Sequence, residues 1–147
     1  MKNKIFLVGI GLLLAARLFA QSEIPSIVLQ KADSLVAKRS FVWRIQEGIY
    51  SVEFVEDTLI KSFGWNGVGE LLFAEQLVSV ESLPVIAKSY VIQNYPKISI
   101  KRVFLRMENK QGPLLYRVEV GEVDLFFDVN GNFLKSQMKT GKTIQAV

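Results

Sequence analysis

The chain has 147 residues, half of them hydrophobic, with 18 Lys and Arg against 14 Asp and Glu and neither histidine nor cysteine. The two absences exclude histidine-based triads, thiol nucleophiles, disulfides and the usual zinc ligand sets. Three of the basic residues and none of the acidic ones lie in the first 20 positions, so residues 21–147 are close to neutral and carry no electrostatic footprint for nucleic acid.

Residues 1–20 read as a secretory signal: Lys2 and Lys4, an apolar run from Ile5 to Ala16, and a short end finishing at Ala20 before Gln21-Ser22-Glu23. An apolar run of about a dozen residues falls short of the about 20 that span a bilayer, so cleavage after Ala20 and no stable membrane anchor are expected. No cysteine follows to accept a lipid. The expected location is periplasmic or secreted. Residues 21–147 are long enough for one domain with its own core, which has to hold without disulfides.

The first helix is predicted over Ser26 to Lys38, where Val28, Ala32, Leu35 and Val36 make one apolar stripe. Strands follow at Phe41 to Glu47, Ile49 to Glu56, Thr58 to Trp65 and Glu70 to Val80. A second helix is predicted to start at Ser82 as N-cap, with Pro84 in its first turn, and to stop near Asn94 because Pro96 disfavours helical geometry at Tyr95. Its stripe is Leu83, Ala87, Tyr90, Val91 and Asn94. A strand from Ile98 to Glu108 comes next. Tyr116, Val118 and Val120 then alternate with Arg117 and Glu119, and Val123, Leu125, Phe127 and Val129 alternate with Asp124, Phe126 and Asp128. That period of two describes antiparallel strands, joined at Gly121-Glu122 and turning again at Asn130-Gly131 before Phe133 to Met138.

The same order of signals occurs twice, about sixty residues apart. Ile24-Pro25, a helix, Tyr50-Ser-Val-Glu-Phe54 and Asn66-Gly67 are matched by Leu83-Pro84, a helix, Tyr116-Arg-Val-Glu-Val120 and Asn130-Gly131. The predicted fold is α+β: a tandem repeat, about 24–80 and 82–138, whose antiparallel strands form one curved sheet with the helices on one face. The other face is expected to be open to solvent, presenting Arg102, Phe104, Arg106, Arg117, Glu119, Asp124, Phe126 and Asp128.

Leu83-Pro84, Tyr95-Pro96, Tyr116-Arg-Val-Glu-Val120 and Leu125-Phe-Phe-Asp-Val-Asn-Gly-Asn-Phe-Leu134 together resemble the PepSY-like family of exported bacterial proteins, the beta-lactamase-inhibitor-like type abundant in the Bacteroidetes. The match is close over 82–135 and looser over 24–80. It departs at Phe63-Gly64-Trp65, where the second copy has Phe127-Asp128-Val129. The resemblance implies a helix-plus-four-strand tandem fold like that of the beta-lactamase inhibitor protein, whose concave sheet face grips a partner, and it brings no catalytic residues with it.

Remaining motifs are weak. Asp128-Val-Asn-Gly-Asn132 begins like a calcium loop, but Phe133 stands where glycine is needed and Lys139 where the closing Glu belongs, so a hairpin turn is expected. Gly67-Val-Gly69 lacks the third glycine of a dinucleotide loop. Glu119, Glu122 and Asp124 are close enough for acid-base work, yet across a tight turn they are read as a solvated hairpin face. Phe41, Trp43, Phe54, Phe63, Trp65, Tyr116 and Phe127 are expected in the core. Phe104 and Phe126 fall on the polar parity beside Arg106, Arg117 and Asp128, and these five form the candidate partner-binding surface.

No catalytic residue, metal site or cofactor is predicted. The leading expectation is a non-enzymatic exported module that binds a protein, as inhibitor or regulator of an envelope or secreted protein. The alternative is a small-molecule or peptide carrier, or an extracytoplasmic sensor.

Overall fold

The computed structural model describes residues 23–146 apart from Lys38, so the signal read at 1–20 and its cleavage site lie outside the described residues. In chain order the elements are α1 (Ser26–Val36), β1 (Phe41–Gln46), β2 (Ile49–Glu56), β3 (Leu59–Trp65), β4 (Leu71–Val78), a 3-10 turn (Val80–Ser82), α2 (Val85–Asn94), β5 (Ile100–Glu108), β6 (Leu114–Val120), β7 (Val123–Asp128), β8 (Phe133–Met138) and β9 (Lys142–Ala146).

The second helix begins later than its sequence suggests. Pro84, at φ −53 and ψ 145 and close to its counterpart Pro25 at φ −55 and ψ 139, stands at the N-cap, and Leu83 before it is extended. The proline ring disfavours helical geometry in the residue it follows, which separates Ser82 from the helix and leaves it in the 3-10 turn capped by Ser79. β9 was not anticipated, because Lys142-Thr-Ile-Gln-Ala146 is short and has one large apolar residue to betray a strand.

The nine strands form one antiparallel sheet in the order β8-β7-β6-β5-β4-β3-β2-β1-β9. Tight turns fix the register. Glu47-Gly48 and Asp57-Thr58 both have positive φ at each residue, the backbone twist that two-residue hairpins need. β8 and β9 are the two edges of the sheet, yet only residues 139–141 join them. A linker that short forces the edges together at that end and curls the sheet into a half-barrel. Gln46 Nε2 donates to the Met138 carbonyl at 2.9 Å, which fastens the closure, and the Lys139 amide extends the β7–β8 pairing to the Glu122 carbonyl at 2.8 Å.

Two apolar clusters hold the helices. Ile24, Val28, Ala32 and Val36 pack on Trp43, Val52, Phe54 and Trp65, with Phe41 and Phe63 partly buried beside them. Leu83, Ala87 and Val91 pack on Val103, Val118, Val120, Leu125 and Phe127, with Tyr116 partly buried at the rim. Each fully buried side chain of this size contributes roughly 1.5 to 3 kcal/mol relative to exposure.

Both halves also use the same five-residue turn. Asn66 Oδ1 accepts from the amides of Val68 and Glu70, and Asp128 Oδ1 accepts from those of Asn130 and Asn132. Gly69 (φ 81) and Gly131 (φ 91) take the left-handed position. A Cβ on either would come within 2.8 Å of the first turn of the neighbouring helix, at Ile27 or at Pro84. Asp128-to-Asn132 is thus a hairpin turn, and its hydrogen bonds, that of the Asn132 side chain first, hold the Asp128 carboxyl below its ordinary value.

Candidate functional site

The strand parity that carries the polar residues faces the inside of the curl. The expectation that it lies open to solvent does not hold: Phe104 is 0% exposed, Phe126 2%, Arg117 7% and Glu119 1%. The curl of the sheet encloses this face. Arg106 is also largely buried, and of the five nominated residues only Asp128 remains near the surface, where it closes its turn. Register nonetheless sets Phe104, Arg117 and Phe126 side by side on β5, β6 and β7.

Charge survives there because it is paired. Arg117 binds Glu75 through two bonds of 2.9 and 2.6 Å and also reaches Glu119 at 2.9 Å and Asp124 at 3.2 Å. Arg102 binds Glu119 through two bonds of 2.9 Å and Glu53 at 3.0 Å. Lys139 stands 3.4 Å from Glu119 and 3.7 Å from Asp124. Aromatic faces fill the gaps between the ions: the Arg117 guanidinium lies 4.3 Å from the Phe104 centroid, and Arg106 lies 3.7 Å from that of Phe73 and 5.4 Å from that of Phe126.

The network moves its own proton equilibria. Burial works against the charge on Glu119, but hydrogen bonds from Arg102 and Arg117 outweigh it and hold the carboxyl at about 2. Burial likewise opposes the charge on Arg117, and the attraction of Glu75 overcomes it. Asp124 goes the other way. Burial pushes its carboxyl up, and its Oδ1 is enclosed with no hydrogen-bond partner among the described residues. Glu119 and Asp124 are therefore not the solvated hairpin face that their spacing suggests. At neutral pH Glu119 has no proton to donate.

A cleft of about 310 Å³ opens beside the network, walled by Arg44, Glu53, Glu75, Arg106, Asp124 and Lys139 among others. β2 and β3 line it with Ile49, Ser51, Glu53 and Ser62, and the small Ser51, Ser62 and Gly64 leave space opposite the large rings on β4, β5 and β7. Gly64 also accounts for Phe63-Gly64-Trp65 standing apart from the pattern of Phe127-Asp128-Val129. The Phe73 ring packs against the Gly64 backbone, in space that a Cβ would occupy. Glu53, Phe73, Glu75, Arg44 and Lys139 were missed in sequence, since no local pattern shows which residues of the first four strands meet those of the last four. Among the described residues no group of three or more acidic side chains is placed to hold a metal, and no helix is long and apolar enough to cross a membrane.

No family model and no curated protein matches the chain. Solved structures do. A protein from Bacteroides eggerthii, provisionally described as periplasmic, superposes with a TM-score of 0.55 at 12% identity, over 78% of this chain and 88% of that one. DUF2874 family proteins from Bacteroides ovatus (TM-score 0.53, 18% identity, 78% and 87% covered) and Bacteroides uniformis (0.54, 13%, 78% and 88%) do the same. What they share with this chain is its fold. The resemblance read from the sequence thus narrows to a likeness in fold to Bacteroides proteins, two of them of the DUF2874 family.

Proposed function

We propose that this is an exported, non-catalytic binding module whose ligand enters the polar cleft inside the curled sheet. The observation that carries this reading is a cavity walled by charged groups in which two enclosed polar atoms, Arg44 Nε and Asp124 Oδ1, make no hydrogen bond among the described residues, Asp124 Oδ1 having only the ion-pair approach of Arg117 at 3.2 Å. Buried polar atoms in folded proteins are almost always satisfied, so an orphaned pair at one cavity suits a site completed by something else. Export is supported by the leader-like residues 1–20 and by the periplasmic description of a structural neighbour. The scaffold reading that goes with it has two copies of one helix-plus-four-strand unit, with both helices on the face opposite the cleft, supported by the matched turns at Asn66 and Asp128.

Of the two binding modes expected from sequence, the cleft favours a small ligand or peptide over a broad grip on a protein partner. Phe104 and Phe126, the anchors such a grip would use, are enclosed. A thermal-shift screen of envelope metabolites and short peptides tests this, because a ligand of the folded state raises the melting temperature. Hits whose effect disappears when Ser62 is enlarged to Phe support the cleft. A screen without hits, combined with capture of a stoichiometric protein partner from periplasmic extract, would overturn it in favour of the grip.

A further inference from the structure

The charges around the cleft are unevenly committed. Glu75 is bound twice by Arg117, and Glu119 twice by Arg102. Arg44 and Arg106 have nothing equivalent. Among the described residues Arg44 donates no hydrogen bond, and the single carboxylate within ion-pair reach, Glu53 at 3.6 Å, is itself bonded to Arg102. Arg106 is tied to Glu108 through Nε at 3.0 Å, while its terminal nitrogens make only a 3.6 Å approach to the already saturated Glu75.

A guanidinium fastened through Nε keeps its two terminal N–H groups as a planar fork, the geometry that matches a carboxylate. The position of this fork is held, because the Arg106 guanidinium sits over the Phe73 ring, 3.7 Å from its centroid, and that ring in turn rests on Gly64. Arg44 and Arg106 both line the cleft, and between their strands β2 and β3 line it with Ile49, Ser51, Glu53 and Ser62. Glu53 is drawn to Arg102, and Ser51 and Ser62 beside it leave room for a ligand. The opposite sign is not so offered: Asp124, although one oxygen is orphaned, already faces both Arg117 and Lys139.

We infer that the cleft recognises a carboxylate, received by the uncommitted guanidinium edges of Arg44 and Arg106. This rests on the cleft being the binding site, and it specifies the chemistry of what enters. The cavity holds about ten waters at their liquid volume of about 30 Å³, room for a small organic acid or for the carboxylate end of a peptide.

The test is a titration of the isotopically labelled protein, followed by amide chemical shifts, with five probes: succinate, triglycine, C-amidated triglycine, glucose and putrescine. Saturable shifts at Ser51, Ser62 and Gly64 are expected from succinate, from free triglycine, or from both, and not from the amidated peptide. Succinate binding identifies a free acid as sufficient; binding of free triglycine alone identifies a peptide terminus. Affinity should fall at least about tenfold in Arg44→Gln and in Arg106→Lys, the loss expected of a charge-assisted bond. Arg44 is the more exposed of the two, so Arg44→Gln carries the test should Arg106→Lys fail to fold. Cleft binding of glucose or putrescine without any carboxylate overturns the inference and leaves the binding-module reading standing. Carboxylate binding that is indifferent to Arg44→Gln overturns it as well, and silence from all five probes removes the carboxylate and weakens the cleft itself.

Discussion

Along β6 the side chains alternate between two interiors: Tyr116, Val118 and Val120 turn toward α2, whereas Arg117 and Glu119 turn into the curl. Val118 is 0% exposed and Glu119 1%, so neighbouring residues on opposite faces are equally dry. The apolar face is kept from water by helices and the polar face by curvature. Alternation in a sequence therefore reports which residues share a face, and the shape of the whole sheet decides whether that face is wet.

The comparison is broken most directly by truncating one residue from each face. Phe127→Ala should cost about 3 to 5 kcal/mol, as large-to-small core changes do. Arg117→Ala should cost a similar amount, because Glu75 is left as a buried charge without its main partner and Glu119 keeps only Arg102 and Lys139. Urea midpoints read both. An Arg117→Ala effect within about 0.5 kcal/mol, the surface range, would mean that the polar face is open after all. The paired change Glu75→Leu with Arg117→Met should cost less than Arg117→Ala alone, since no orphaned charge remains at position 75.

Acid separates the faces without mutation. The Glu119 carboxyl is depressed in the folded state, so its contribution is fully present above the ordinary value of 4.5 and is lost as pH falls toward about 2. Stability measured across that window should drop, and Glu119→Gln should remove most of the drop while lowering stability at neutral pH. A wild-type curve that is flat below pH 4.5 would contradict the enclosed pairing.

Gly64→Ala sharpens the account of the cleft floor. The added methyl group meets the Phe73 ring, and overpacking of this kind costs about 1 to 3 kcal/mol. The Arg106 guanidinium stacked on that ring should move with it, visible as an Nε–H shift. The smallest effect is expected from Asp124→Asn. A carboxyl whose folded value is raised stabilises below its ordinary value of 3.8 and loses that contribution as pH rises, so its ionised form is a burden at neutral pH. Replacing it should cost no more than about 1 kcal/mol, against several for Arg117→Ala.

Helix stripes, strand parities and turns were legible because each is set within a few residues: Val28, Ala32 and Val36 on one helix, Val118 and Leu125 across one hairpin. Legible too was the adjacency of Phe104, Arg117 and Phe126, which register alone dictates. Closure was not. It depends on β9 pairing with β1 and on Glu53 and Glu75 meeting arginines of the other half, contacts between residues some 40 to 105 apart. Asp128 was placed in the candidate surface by its parity, but the hydrogen bonds that it makes to Asn130 and Asn132 belong to the turn.

The pairing of Phe41 with Ala146 gives the folding path a late step. Neighbouring strands of the meander form through short loops, whereas β1 acquires its second partner only when a loop of roughly a hundred residues closes, and contacts of such separation slow folding. Until then Phe41-Val-Trp43 is an unpaired, apolar edge, the kind of template on which partly folded chains associate. The five residues of β9 thus act on kinetics more than on the core: they follow every other strand in the chain, and they cover the strand most in need of protection.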